Sequence, residues 1–232
     1  MHNVRTYGII VKNCVYIWAF LRFRQIFYQR LKMIIYDITP DIMRAQLYPG
    51  DSNPRTESRA KIKDGREYNL SDISMSLHTG AHIDAPLHYF EDGQSVDMLP
   101  PSKFVGRCVV REACGPITAL WVEKNLPWDC KRLIIKCGSN GYLMDNAVFE
   151  LCRFDIELVG IDSMSIAGEE NEGSVHRELL NNGIAVLEGI DLTDIEPGEY
   201  FLFAPPLKIG GAEAAPCRAL LVKGVIATEA QI

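Results

Sequence analysis

The run His78-Thr79-Gly80-Ala81-His82-Ile83-Asp84-Ala85-Pro86-Leu87-His88 constrains this chain more than any other stretch, because it limits both the backbone and the chemistry. Three of the five histidines fall inside it, with an aspartate, at the spacing H-x3-H-x-D-x3-H. A helix would put His78 and His82 on one face, but Gly80 lies between them and Pro86 follows, and both oppose a helix. In an extended segment His82, Asp84 and His88 point the same way, and a turn at Thr79-Gly80 brings His78 alongside. The block is therefore expected to be extended, with its polar side chains on one face.

From Met33 onwards the same logic continues, since short apolar runs alternate with turn signals. Strands are expected at 33–38, 68–77, 104–111, 132–137, 156–161, 185–187, 200–204 and 219–225, many of them rich in β-branched or aromatic residues. A polar loop marked by Pro and Gly is expected at 48–66. Helices are expected at 117–125, 146–152 and 174–181, the last with Ser174 as its cap and Gly183 just past its end. With 232 residues and 47% hydrophobic content, the chain suits one α/β domain with more strand than helix. A net charge of −6 offers no basic surface for a phosphate backbone, which argues against nucleic acid as a partner. Seven cysteines without a C-x-x-C pair argue against a disulfide framework and against a zinc knuckle, and fit a reducing cytoplasm.

The N-terminus stands apart. Residues 1–33 carry Arg5, Lys12, Arg22, Arg24, Arg30 and Lys32 and no acidic residue. The apolar stretch from Gly8 to Leu21 is interrupted and too short to span a bilayer, and no small-residue cleavage site follows it. Residues 1–32 are read as a basic extension and 33–232 as the working domain, with Met33 as the working start.

Imidazoles with a carboxylate suit zinc, manganese or iron, and the absence of a nearby cysteine favours a catalytic over a structural site. The same residues also fit an ordinary polar loop of hydrogen-bonded histidines. Among the remaining candidates, His176 sits near the start of a helix, and Glu188 ends the apolar run 185–187, either facing solvent or reaching into a cleft. Glu169, Glu170 and Glu172 read as a solvated loop on the rim. Asp162 and Ser163 suit either a supporting hydrogen-bond role or a turn. Cys217, with no histidine nearby in sequence, reads as packing.

Taken in order, Tyr36-Asp37-Ile38-Thr39-Pro40, Tyr48-Pro49-Gly50-Asp51, the His78–His88 block, Gly160-Ile161-Asp162, His176 through Leu187-Glu188-Gly189, Pro197-Gly198-Glu199-Tyr200 and Pro206-Leu207-Lys208 resemble the cyclase family that includes bacterial kynurenine formamidases (arylformamidases) and isatin hydrolases. The resemblance implies an α/β fold around a β-barrel-like core, commonly as a homodimer or larger homo-oligomer. It also implies two divalent metal ions, zinc or manganese. His78, His82 and Asp84 would hold one, His176 the other, and Asp84 and Glu188 would bridge. His88 matches the family's proton donor and acceptor. Tyr48 stands where the formamidases carry a substrate-contacting tryptophan, a departure that bears on the substrate. Ala215 departs from the Ser-Pro-x-Arg pattern. The activity implied is hydrolysis of an aryl formamide such as N-formylkynurenine to kynurenine and formate, a step of tryptophan catabolism. The alternatives are a hydrolase of a cyclic amide such as isatin, and a non-catalytic metal-binding protein.

Overall fold

Apolar runs that alternate faces need a sheet covered on both sides, and the computed structural model of the protein supplies one. It describes residues 33–224; the basic segment 1–32 lies outside the described residues. The strands are β1 (Ile34–Asp37), β2 (Arg55–Ala60), β3 (Leu70–Ser74), β4 (His82–Asp84), β5 (Val105–Glu112), β6 (Pro116–Ile117), β7 (Arg132–Lys136), β8 (Tyr142–Leu143), β9 (Leu158–Ile161), β10 (Ala185–Glu188), β11 (Gly198–Phe203), β12 (Ala214–Pro216) and β13 (Leu220–Lys223). The α-helices are α1 (Ala119–Asn125), α2 (Asp145–Arg153) and α3 (Glu172–Asn181). Nine strands form one curled, half-barrel sheet in the order β1-β13-β11-β5-β7-β9-β10-β4-β12, as the strand-rich reading anticipates.

The centre of the sheet, β5-β7-β9-β10, is parallel, and parallel neighbours need crossovers. The three helices are those crossovers, and all pack on one face. Leu133 and Ile135 of β7, Val159 and Ile161 of β9 and Val186 of β10 bury against Val122, Val148, Leu151, Val175 and Leu179 of the helices. The alternate residues Ile134, Leu158 and Leu187 turn to the other face, where they meet Ile83, Phe104, Leu202 and Leu221. Each such aliphatic side chain, taken wholly out of water, contributes about 1.5–3 kcal/mol. Two faces each with a core explain why β7 and β9 read as continuous apolar runs rather than as alternation.

Some elements depart from expectation. The segment 48–66 is not all loop, for β2 pairs with β3 into a two-stranded ribbon outside the main sheet. Its residues are polar on both faces, so no apolar pattern marks it. β12 contains Pro216, which reads against a strand, yet β12 is an edge strand where a missing N–H is tolerated. Ile117 belongs to β6, and Thr118, accepting from the Trp121 N–H, starts α1. Asn171 rather than Ser174 occupies the N-cap of α3, and the Ser174 hydroxyl donates instead to Asp145 Oδ1 at 2.5 Å. Among the described residues no helix is long and apolar enough to cross a membrane.

Candidate metal centre

Strand register assembles the cluster. β4 pairs antiparallel with β10, so that Glu188 lies opposite His82 and Val186 opposite Asp84. Directly opposed residues share a face. Ile83 and Leu187 therefore enter one core, while His82, Asp84 and Glu188 face the side covered by α3, which brings His176. On the other flank of β4, Ala214 opposes Asp84. The block 78–88 is extended only in part: β4 is a strand, but His88 closes a 3-10 turn (Pro86–His88) that Pro86 initiates. This turn carries the His88 ring to within 4.4 Å, centroid to centroid, of the His78 ring.

His82, Asp84, His176 and Glu188 are all buried, with Asp84 fully excluded from solvent. Four ionisable groups in one dry place are costly unless something satisfies them. The hydrogen bonds show what is left over. His82 Nδ1 lies 2.8 Å from the Gly80 carbonyl, and His176 Nδ1 lies 2.8 Å from the Glu172 carbonyl. A carbonyl only accepts, so both Nδ1 atoms carry the proton, and in the neutral rings both Nε2 atoms are bare lone pairs. His82 Nε2 then points at Asp84 Oδ1 (3.4 Å) and Glu188 Oε2 (3.5 Å), and His176 Nε2 at Glu188 Oε1 (3.1 Å) and Asp84 Oδ2 (3.9 Å). His78 Nδ1 lies 3.1 Å from Asp84 Oδ1. Short as these separations are, neither Asp84 oxygen nor His82 Nε2 has an aligned hydrogen-bond partner. His176 Nε2 and Glu188 Oε1 do meet hydrogen-bond geometry at 3.1 Å, but the lone pairs of His82 and Asp84 aimed at one another call for a metal ion or a proton between them.

Donors around 2.0–2.2 Å from a common tetrahedral ion sit roughly 3.3–3.6 Å from one another. The separations above, 3.1–3.9 Å, fit that arrangement. Two triplets meet the condition, His78–His82–Asp84 and Asp84–His176–Glu188, and Asp84 is common to both. A divalent metal fits this donor set. Without one, protons must serve. Burial opposes charge on His82, yet Asp84 and Glu188 hold its pKa well above the ordinary value. At His176 burial is likewise overcome by Glu188 and Asp84, which push the pKa up to about 9. Asp84 is held far below the carboxylate range despite its burial, by His82 and His78.

The surrounding shell keeps the ligands in place. Ile166 N–H donates to Glu188 Oε1 at 2.7 Å. Gly189, at φ +64°, is where the chain turns after Glu188; a Cβ there would lie 2.3 Å from the Gly80 carbonyl oxygen that orients His82. Glu213 Oε1 stands 3.6 Å from His78 Nε2, on the ring edge away from Asp84. Asp162 accepts from the Cys137 and Gly138 N–H groups, and the Ser163 carbonyl accepts from Gly189 N–H, so both shape loops beside the cluster.

A cavity of about 410 Å³ opens on the cluster, lined by Tyr48, His78, Gly80, His82, Met164 and Ile190 among others. It lies at the C-terminal ends of β7, β9 and β10, where open α/β sheets usually place ligands. Tyr89, which follows His88, is a residue that sequence reasoning missed. Its ring stacks on His176 (5.1 Å, 19°) with the Arg177 guanidinium 5.3 Å beyond it. An aromatic beside a histidine carries no signal of its own, and only the fold stacks it on His176. His88 is half-buried and its ring makes no hydrogen bond; burial pushes its pKa down. Tyr48 bonds Glu172, so the segment 169–172 is not wholly solvated. Cys217 is buried with its thiol pushed up to about 12, as packing requires.

Comparison with known proteins gives the geometry a lineage. Residues 33–124 match the family described as Putative cyclase. A kynurenine formamidase from Polaromonas naphthalenivorans (strain CJ2) is 33% identical over 201 residues, covering 81% of this chain and 90% of the relative. A solved structure described as a predicted metal-dependent hydrolase from Bacillus stearothermophilus superposes with a TM-score of 0.72 at 28% identity, over 82% of this chain and 98% of the other. Isatin hydrolase A from Labrenzia aggregata shares the fold, with a TM-score of 0.71 at 21% identity, over 83% and 94% of the two chains. Matched over most of its described length, by sequence and by fold, the chain belongs to the Putative cyclase family.

Proposed function

We propose that this protein is a metal-dependent amidohydrolase that opens an aryl formamide of the N-formylkynurenine type to the arylamine and formate. His78, His82, Asp84, His176 and Glu188 would hold two divalent ions, zinc or manganese, with Asp84 belonging to both donor triplets. The observation that carries this reading is the convergence of the unpartnered His82 Nε2 and both unpartnered Asp84 oxygens with the donors of His78, His176 and Glu188 in two triplets that share Asp84. The kynurenine formamidase likeness supports the substrate class.

Bound at these residues, divalent ions polarise a carbonyl and bring water towards ionisation near neutral pH. The chain does the rest. The Gly80 and Glu172 carbonyls fix His82 and His176 in the tautomer that presents Nε2, and the Ile166 N–H fixes Glu188. His88, neutral at pH 7 because burial lowers its pKa, takes a proton at an imidazole nitrogen as water attacks the formyl carbon. It returns that proton to the amide nitrogen as the C–N bond breaks, so that the amine leaves neutral. Tyr48 offers an aromatic wall to the aryl ring in the cavity. The unpaired cysteines among the described residues fit a reducing cytoplasm.

Following the absorbance of metal-loaded protein with N-formylkynurenine and, separately, with isatin tests the reading. Release of kynurenine is the expected outcome. Turnover of isatin alone would move the protein to cyclic amides, and turnover of neither with metal bound would leave a binding protein.

A further inference from the structure

Glu172 holds two parts of the site at once. Its backbone carbonyl accepts the His176 Nδ1–H at 2.8 Å, and its carboxylate Oε2 accepts the Tyr48 phenolic O–H at 2.7 Å. Tyr48 belongs to the segment 45–54, which runs across the cluster between a 3-10 turn (Ile42–Arg44) and β2. That segment has little else to hold it. Its backbone makes one internal turn, Asp51 N–H to Tyr48 C=O, and Ala45 N–H closes the preceding turn on Ile42. Among the described residues, the Tyr48–Glu172 bond is the one side-chain hydrogen bond that ties 45–54 to the remainder of the fold. Ala45 packs on the Gly80 turn at the near end, and Tyr48 is fastened to the first residue of α3 at the far end.

A phenol bound to a carboxylate is a charge-assisted bond, stronger than a neutral one. Both partners gain from its direction: the carboxylate gains a donor, and the ring is held at one angle against the cavity it lines. The phenol pKa, raised to about 12 by that bond, agrees with a proton shared towards Glu172. Tyr89, stacked on His176, has its phenol raised to about 12 by burial and then by the same Glu172, so the two tyrosines flank one carboxylate.

We propose that Glu172 is a positioning residue, clasping Tyr48 so that the segment 45–54 forms a fixed wall of the substrate cavity, referenced to the helix that carries His176. The inference rests on the amidohydrolase reading for its substrate but not for its geometry. The clasp acts on binding of the aryl group, since neither Glu172 oxygen is among the metal-directed atoms and the carbonyl that orients His176 is backbone, unchanged by substitution.

The test compares Tyr48→Phe, Glu172→Ala, Glu172→Gln and the double variant Tyr48→Phe/Glu172→Ala, all in the metal-loaded full chain. Tyr48→Phe and Glu172→Ala are each expected to raise KM for N-formylkynurenine about tenfold, more than they lower kcat, with metal content unchanged. The double variant should be no worse than either single one, because the two changes break one bond. Glu172→Gln, whose amide oxygen still accepts from the phenol, should recover most of the loss. Hydrogen exchange of the segment 42–52 should quicken about tenfold in Tyr48→Phe and Glu172→Ala. Additive losses, or exchange and KM equal to the parent's in both single variants, would overturn the clasp. Absence of turnover in the parent would overturn the formamidase reading alone, and the exchange rates would still decide the clasp.

Discussion

Asp84 is the residue whose chemistry leaves least freedom: fully buried, with both oxygens short of hydrogen bonds, and shared by both donor triplets. Asp84→Ala is expected to lose both metal and activity. His88→Ala is expected to keep metal and lose turnover by roughly 10²–10⁴-fold, the usual worth of a general acid–base; metal analysis and rates on the purified variants decide, and a fully active His88→Ala would contradict its role. Protonation gives a second handle on the same residues. In the metal-free chain Glu188 and Asp84 raise the His176 pKa to about 9 and push that of His82 upward as well, so at neutral pH His176 carries a proton on Nε2 that an ion must displace. A raised pKa means that the proton competes at neutral pH and ceases to compete only above about pH 9, so metal affinity should climb with pH through that range. Calorimetry in two buffers of different ionisation enthalpy should show proton release on metal loading at neutral pH that fades above about pH 9, whereas no release at neutral pH would contradict the raised His176 pKa. His78, His82, Asp84 and His88 stand out in the sequence because their spacing is local, whereas His176, far along the chain, joins them there only through the family resemblance. Glu188 was ambiguous on its residues alone, since a carboxylate at a strand end usually faces water. Glu172, Glu213 and Tyr89 were not legible in these roles, because each acts through contacts set by the tertiary fold.

At the scale of elements, one strand pair and one helix build the cluster, and Gly189, just past the end of β10, packs closely on the Gly80 turn that precedes β4. Its left-handed backbone alone would cost an alanine about 1–2 kcal/mol, and the Cβ would in addition press on the Gly80 carbonyl. Gly189→Ala is therefore expected to lower the thermal midpoint and to weaken metal binding through the loosened His82, both measurable by calorimetry; unchanged metal affinity would show that Gly80 does not orient the ligand. Expectation met structure well where burial patterned the sequence, as in β5, β7, β9 and β10 and in the three helices. It failed where context decided. β2 carries no apolar face, β12 contains a proline, and the N-cap of α3 is Asn171, three residues before the serine that sequence favours. His88 illustrates the same limit: Pro86 bends the chain into a 3-10 turn, so it reaches the cluster by curvature rather than by strand alternation.

On the scale of the whole molecule, a half-barrel closed on one face by helices leaves the β2–β3 ribbon standing out, with Ile62, Tyr68, Leu70 and Ile73 each about half or more exposed. A two-stranded ribbon is marginal by itself in water. The expected state is a dimer or larger assembly in which these side chains are covered, and sedimentation should show it; a monomer at micromolar concentration would contradict this. The sheet itself explains why function concentrates where it does, since three parallel strands end beside β4 and their loops leave a cavity over the buried cluster. The central claim is that this cluster exists to hold divalent metal for hydrolysis. It is tested most directly by stripping the protein with a chelator and titrating zinc or manganese back while following N-formylkynurenine hydrolysis. Activity is expected to vanish on stripping and to return as binding saturates near two ions per chain. Activity that survives exhaustive metal removal would contradict it.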